Sequence, residues 1–399
     1  MAERPRHEVA EIFDRYLSSQ GQGVGHPGPS SWSWEQSRVV DRIRACRTAR
    51  LGGHVYECDT CAKKQISYNS CRNRHCPKCQ GGAQAAWLDA RQADVLPVPY
   101  AHVVFTMPQS LAPLALQNQR VVYGLLMRTV AQTLQEIAQN PKHLGARLGF
   151  FAILHTWGQS LVHHPHVHCV VPAGGLADDG TWRACRPGFF LPVRVLSRLF
   201  RGKFVAGLRA AFGENHLEFH GALARYHSSA AFERLLADSL ETEWVVFAKP
   251  PLDDPARVLK YLARYTHRIA ISNHRILNVT DETVTFRYND YRSRRPRSLQ
   301  LSLAEFTRRF LLHVLPKGFV RIRYYGLLAN AGRLRLLARC RLALGQLLEP
   351  VSEPSDTLEC LPDVLPPRLC PICLKGFLVC IEVLGRPPPL THRWSHAAA

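Results

Sequence analysis

His163-His-Pro-His-Val-His-Cys-Val-Val171 decides how this 399-residue chain is read. Val167–Val171 is a short run of β-formers, and alternate residues of a strand point to the same face. His166 and His168 therefore share a face while Val167 packs behind them. Two imidazoles fixed that way can share one divalent ion. A third donor is needed, and Gln159 and His155 both stand on the preceding strand or turn. Five histidines fall between His155 and His168, more than a merely polar strand face requires.

Outward from this strand there is no internal repeat and no regular βαβ rhythm. Tyr100–Thr106 and Phe150–Thr156 read as strands, with one or two amphipathic helices over Leu111–Ala138 between them. Asp178-Asp-Gly180 marks a hairpin turn, Leu196–Phe212 a helix and Trp244–Ala248 a strand. Asp254 and Pro255 suit the N-cap and first position of a helix running to about Arg268. Arg275–Val279 and Thr283–Tyr288 alternate around Thr280-Asp-Glu282 as a hairpin. Ser302-Leu-Ala-Glu305 is a capping box opening a helix with Phe306, Phe310 and Val314 on one face. The order predicts an α+β fold. Four regions are expected: an N-terminal helix and loop (1–40), a zinc-binding domain (41–90), the main domain (91–345) and a Pro-rich tail (346–399).

The expected helix carries Lys260-Tyr-Leu-Ala-Arg-Tyr-Thr-His267, in which Tyr261 and Tyr265 are one turn apart and share a face. A tyrosine attacks phosphate poorly at its free pKa of about 10. A metal ion polarising the phosphate would help, as would Lys260, Arg264, His267 or Arg268 nearby. Further on, Arg287-Tyr-Asn-Asp-Tyr-Arg-Ser-Arg-Arg-Pro-Arg297 interleaves aromatic rings with cations. Such a surface can stack bases and track the phosphates of a single strand, and Arg292, Arg294 and Arg295 lie within it. Arg321 and Arg323 alternate on a later strand and are read the same way.

Thirteen cysteines are clustered rather than scattered. Cys58-x2-Cys61 and Cys76-x2-Cys79, fourteen residues apart, are expected to close one tetrahedral zinc site. Cys46, His54, Cys71 and His75 are left over as ligands for a possible second zinc. Cys370-Pro-Ile-Cys373 is a further knuckle; Cys360, Cys380, His392 and His396 are available to it only at irregular spacing, and the tail is assigned no role.

Composition sets the partner. With 46% apolar residues the chain can build a core, and Lys plus Arg outnumber Asp plus Glu by 51 to 31, a net +20. Only nine of the cations are Lys, and Arg binds phosphate through a planar fork, so nucleic acid is favoured over a small neutral substrate. No apolar run reaches the roughly 18–20 residues of a membrane span. No signal-peptide stretch follows Met1. The expectation is a cytoplasmic protein with no membrane partner and no small-molecule substrate.

Taken together the blocks resemble the HUH endonucleases, and more closely the rolling-circle transposases of the insertion sequence 91 family, including its common-region relatives. The likeness covers roughly residues 35–345. It is carried by Ser70-Cys-Arg-Asn-Arg-His-Cys-Pro-Lys-Cys79, by Trp157-Gly-Gln159 with His164–Val171, by Tyr261–Asn273 and by His313–Arg323. It implies an HUH-endonuclease-like domain, with a central, mostly antiparallel sheet flanked by helices, preceded by a small zinc-binding domain.

His166 and His168 would then hold Mg²⁺ or Mn²⁺, with Gln159 the first choice of third ligand and His155 its competitor. Tyr261 or Tyr265 would attack single-stranded DNA at the element ends and target, leaving a 5′-phosphotyrosine that conserves the energy for rejoining. Lys260, Arg264, Arg268, Arg321 and Arg323 join Arg292–Arg295 as DNA contacts. The sequence has no helicase P-loop of the G-x4-G-K-[ST] type, so host replication or helicase machinery would unwind the DNA. Two other readings are a non-catalytic zinc-finger DNA-binding protein and a plasmid rolling-circle replication initiator. The intact histidine pair and both tyrosines oppose the first; the cysteine finger and the quoted blocks oppose the second. An acidic-triad transposase is disfavoured because Asp178, Asp179, Asp253 and Asp254 sit at turns and caps.

Overall fold

The computed structural model describes residues 5–19, 31–242, 244–252, 269–290, 293, 295–346 and 368–387. In chain order, β1 (Gly53–Cys58) and β2 (Lys64–Tyr68) form a hairpin in the cysteine-rich segment. β3 (Tyr100–Thr106), β4 (Gly149–Trp157) and β5 (His163–Pro172) follow, close to the expected bounds. β6 (Gly174–Leu176) and β7 (Trp182–Ala184) flank the Asp178-Asp-Gly turn, and β8 (Val246–Leu252) comes next. β9 (Ile276–Val279), β10 (Thr283–Asn289) and β11 (Pro296–Ser302) make a three-stranded sheet, adding a third strand to the expected hairpin. β12 (Ile322–Gly326), β13 (Arg368–Leu369) and β14 (Phe377–Leu384) complete the described set.

β12-β4-β5-β3-β8 is the central sheet, and every pairing in it is antiparallel. Its two faces differ because side chains alternate. Val167, Cys169 and Val171 of β5, with Phe150, Ala152 and Leu154 of β4 and Val103 and Phe105 of β3, enter the largest apolar core. Helices Gln119–Gln139 and Val193–Gly213 cover that face through Val122, Leu126, Val130, Phe200, Phe204 and Leu208. The expected helical stretch is broken at Asn118, whose amide clamps the backbone of Glu218 (Oδ1 accepts at 2.7 Å, Nδ2 donates at 3.0 Å). The opposite sheet face is apolar only at one end. There Phe151, Ile153 and Val170 pack with Leu337 and Cys340 of helix Arg333–Ala343. The other end carries histidines.

A third packing unit joins the chain's start to its later half. Helices Val9–Ser19 and Trp34–Ala45 bury Ile12, Phe13, Val40 and Ile43 against helix Leu303–Leu311 and the β9–β11 sheet. Phe13 meets Phe310 edge to face at 5.3 Å. Ser302 caps its helix as the sequence predicts, its side chain accepting from Glu305 N–H at 3.2 Å. A full capping box, Ser33 with Gln36, opens the helix before the cysteines. Among the described residues no helix is long and apolar enough to cross a membrane.

Gly326 ends β12 with φ +59, and a Cβ there would collide with the carbonyl oxygen of Leu148 across the strand pair. Gly326→Ala combines left-handed backbone strain with a clash against backbone that cannot move aside. A loss of about 2–3 kcal/mol is expected, read as a lower urea midpoint at unchanged slope. A wild-type midpoint would show that the β12–β4 edge accommodates a side chain at residue 326.

Candidate functional site

Strand register assembles the histidines. His155 on β4 stands opposite His166 on β5, and His168 stands opposite Ile153. All three imidazoles thus emerge on one sheet face, and one nitrogen from each lies within 4.8 Å of the others. Ring centroids are 4.3 Å apart for His155 and His168 and 4.9 Å for His166 and His168. The outer nitrogens of His166 and His168 have partners. His166 Nδ1 donates to its neighbour His164's carbonyl at 2.6 Å, which leaves Nε2 as the free lone pair. His168 Nδ1 lies 2.8 Å from Nε2 of His102, a ring stacked nearly parallel to it. His155 stacks on Trp157 at 4.5 Å, and the Arg321 guanidinium lies 5.9 Å from the Trp157 ring.

Burial favours the neutral form of His102, His166 and His168. It pushes His166 and His102 down to about 4 and His168 well below its usual value, with neighbouring His and Lys249 adding to the effect at His102 and His168. Neutral imidazoles with oriented lone pairs are what a divalent ion requires. His155, His166 and His168 thus form a group of three imidazoles close enough to share an ion. Gln159, the first choice on the family resemblance, lies in the turn beyond β4 and lines the same cleft; its main-chain carbonyl accepts from Arg275 at 2.5 Å. His102 was not foreseen. A lone histidine in the apolar strand Tyr100–Thr106 gives no signal until its register beside Val170 is known.

The histidines floor a cleft of about 710 Å³. Its rim is Arg275, Arg287, Tyr288 and Asn289 from the three-stranded sheet and its approach, with Val245 and the half-exposed Phe247 at the edge strand. Arg275 is itself fixed, its Nε donating to the Arg287 carbonyl at 2.7 Å. Cations and an exposed aromatic ring thus face the imidazoles. Arg295 and Arg297 are exposed on the same hairpin. Arg321 departs from expectation: it is 7% exposed, and burial, reinforced by Arg74, lowers its pKa to about 9. Its guanidinium packs against the Trp157 ring rather than lying on the surface. Arg323 is half-buried, lying over Phe319 at 5.2 Å. Tyr261, Tyr265, Lys260, Arg264, Arg268, Arg292 and Arg294 lie outside the described residues.

The cysteines sort differently from the spacing argument. Cys46, Cys71, Cys76 and Cys79 bring their sulfurs within 4.8 Å of one another, and Cys58 and Cys61 do so with Cys370 and Cys373. The two knuckles expected to share an ion belong to separate clusters. His54 joins neither; its ring lies near Cys380 and Tyr56. His75 is buried, its Nε2 accepting from Leu315 N–H and its Nδ1 facing Asn73 Oδ1, so it serves packing. In the first cluster Cys46 and Cys71 lie 3.5 and 3.6 Å from Cys79, and Cys76 caps helix Pro77–Gln92. This cluster borders the core that buries Ile269, Ala270 and Ile271.

Residues 149–335 match the family described as "Putative transposase", and residues 12–107 the family described as "Transposase zinc-binding domain". "Putative transposase y4qJ" of Sinorhizobium fredii is 51% identical over 383 residues, covering 94% of this chain and 95% of that protein. "Transposase for insertion sequence element IS801" of Pseudomonas savastanoi pv. phaseolicola is 31% identical over 295 residues, 73% of this chain and 70% of its own length. Among solved structures, the conjugative relaxase TrwC in complex with oriT DNA aligns at 13% identity with a TM-score of 0.25, over 58% of this chain and 94% of that one. That last likeness is too low to carry an argument. The molecule is a transposase with its own zinc-binding domain. It belongs to the insertion sequence 91 family.

The buried histidines set an acid limit. Burial holds His75 and His313 at about 3 and His102, His163 and His166 at about 4, below the roughly 6.5 of an unfolded chain. Between these values the unfolded state binds more protons, so stability falls as pH falls. The urea midpoint of metal-stripped protein should drop steadily from pH 7 to pH 5. A flat profile would contradict the neutral, buried state of these rings.

Proposed function

We propose that this transposase nicks and rejoins single-stranded DNA through a 5′-phosphotyrosine, driving rolling-circle movement of its element. The observation that carries the reading is the convergence of His155, His166 and His168 beneath a cleft edged by Arg275 and Arg287. His155, His166 and His168 would hold the ion through the three ring nitrogens that converge within 4.8 Å of one another. Three nitrogen donors suit Mn²⁺ better than Mg²⁺, which prefers oxygen and keeps its waters. Such an ion, when bound, would polarise the scissile phosphate and stabilise charge on its oxygens.

Tyr261 or Tyr265 supplies the nucleophile. Its phenolic oxygen bonds to phosphorus as the bond to the 3′ oxygen breaks; the phenolic proton is lost and the 3′ oxygen leaves as a hydroxyl. Reversal by another 3′-hydroxyl rejoins a strand without ATP. Arg275 and Arg287 sit where phosphates would run, and Phe247 and Tyr288 offer rings on which bases can stack. Cys46, Cys71, Cys76 and Cys79 would hold a structural zinc, since sulfurs 3.5–3.6 Å apart are near the roughly 3.8 Å edge of a tetrahedron with Zn–S of about 2.3 Å. That ion would stiffen the core in which Ile269–Ile271, directly after the tyrosine segment, are buried.

The decisive test incubates the protein with Mn²⁺ and single-stranded DNA from the element's own ends. A covalent adduct surviving denaturing electrophoresis should map to Tyr261 or Tyr265 by mass spectrometry. Replacing both by Phe should abolish it and leave DNA binding intact; an adduct in that variant would refute the nucleophile assignment. Tight DNA binding without any adduct from the wild type would instead mark a non-catalytic binder. His102→Ala should weaken Mn²⁺ binding about 10–100-fold by releasing the outer nitrogen of His168. Calorimetric titration reads this directly, and unchanged affinity would show that His102 only fills space.

A further inference from the structure

The second thiol cluster joins parts of the chain that the zinc-binding family match, ending at residue 107, does not span. Cys58 Sγ lies 3.6 Å from Cys373 Sγ, and Cys61 Sγ 3.8 Å from Cys370 Sγ. These separations are near the tetrahedral edge of a zinc tetrathiolate and far beyond the roughly 2.05 Å of a disulfide. The two contributing turns repeat each other. Cys58-Asp-Thr-Cys-Ala-Lys63 and Cys370-Pro-Ile-Cys-Leu-Lys375 have the same spacing. Ala62 N–H donates to the Cys58 carbonyl at 3.0 Å, and Leu374 N–H donates to the Cys370 carbonyl at 3.0 Å. Ala62 and Leu374 both take left-handed backbone, φ 53 and 55, which non-glycine residues rarely adopt. Backbone N–H groups of Cys61 and Gly376 point at Cys58 Sγ and Cys373 Sγ, at 3.5 and 3.4 Å.

The surrounding sheet explains why an ion is needed. β13-β14-β1-β2 is four-stranded, yet none of its residues belongs to any of the three apolar cores among the described residues. β2, β13 and β14 have no buried side chain, and the buried Cys58 and Cys370 are themselves members of the cluster. A sheet without a core needs another source of cohesion.

We propose that Cys58, Cys61, Cys370 and Cys373 bind a second zinc ion, which clasps the C-terminal β14 onto β1 of the zinc-binding domain. Four thiols lose four protons as one Zn²⁺ binds, giving a dianionic tetrathiolate that the inward N–H groups partly stabilise. The proposal is independent of the nuclease reading and stands or falls separately from it.

Native mass spectrometry of zinc-loaded protein should show one fewer zinc in Cys370→Ser/Cys373→Ser than in the wild type, with the rest retained. Equal zinc content would overturn the proposal. If the variant does not fold, N-ethylmaleimide mapping of the wild type decides. The half-buried Cys61 and Cys373 should resist alkylation until a strong zinc chelator is added, while the exposed Cys380 reacts throughout. Labelling of Cys61 and Cys373 at the rate of Cys380 before chelation would equally refute it.

Discussion

The antiparallel register of β4 against β5 is the constraint on which the rest depends. With His155 facing His166, the imidazoles meet on one side of the sheet, while Val167, Cys169 and Val171 enter the core on the other. A slip of one residue would reverse both assignments, placing histidines in the core and valines in the cleft. Hydrophobic burial at about 25 cal/mol per Å² therefore enforces the site's geometry. Core formation and site formation are one event. The turn between the strands is held by Arg309 and Arg275, which donate to the carbonyls of Ser160 and Gln159.

Much of this was legible because period-two patterning is local. His166 and His168 could be placed on one face from Val167 alone, and strands such as Tyr100–Thr106 had clear bounds. The third histidine and His102 were harder, since each depends on which residue stands across a strand, and a turn's conformation decides that. The cysteines misled for a different reason. Nearness in sequence favours pairing Cys58-x2-Cys61 with Cys76-x2-Cys79, but loop closure grows only logarithmically with length. Reaching Cys373, 315 residues away, costs about 2.5 kcal/mol more than reaching across some 18 residues. Apparent zinc affinities of about 10–16 kcal/mol in small domains exceed that difference, so sheet pairing decides.

The basic surplus divides into two populations that composition cannot separate. Arg74 is spent internally: its guanidinium donates to the carbonyls of Phe319 and Pro316 at 2.6 and 3.0 Å, tying the cysteine-rich segment to the approach of β12. Arg321 is buried, its guanidinium 5.9 Å from the Trp157 ring. Arg287, Arg295 and Arg297 remain exposed along one hairpin. A cation count overstates the nucleic-acid surface whenever guanidinium groups replace apolar side chains as internal struts.

The antiparallel pairing of β1 with β14 has a consequence in time. The Cys46–Cys79 group is complete once residue 79 is made, whereas Cys58 and Cys61 wait for Cys370 and Cys373. At about 5–20 residues per second, the ribosome takes roughly 15–60 s to cover that interval. Throughout it the β1–β2 hairpin has an unpaired strand edge and two thiols awaiting partners, so β14, made well after β1, completes the sheet that the hairpin began.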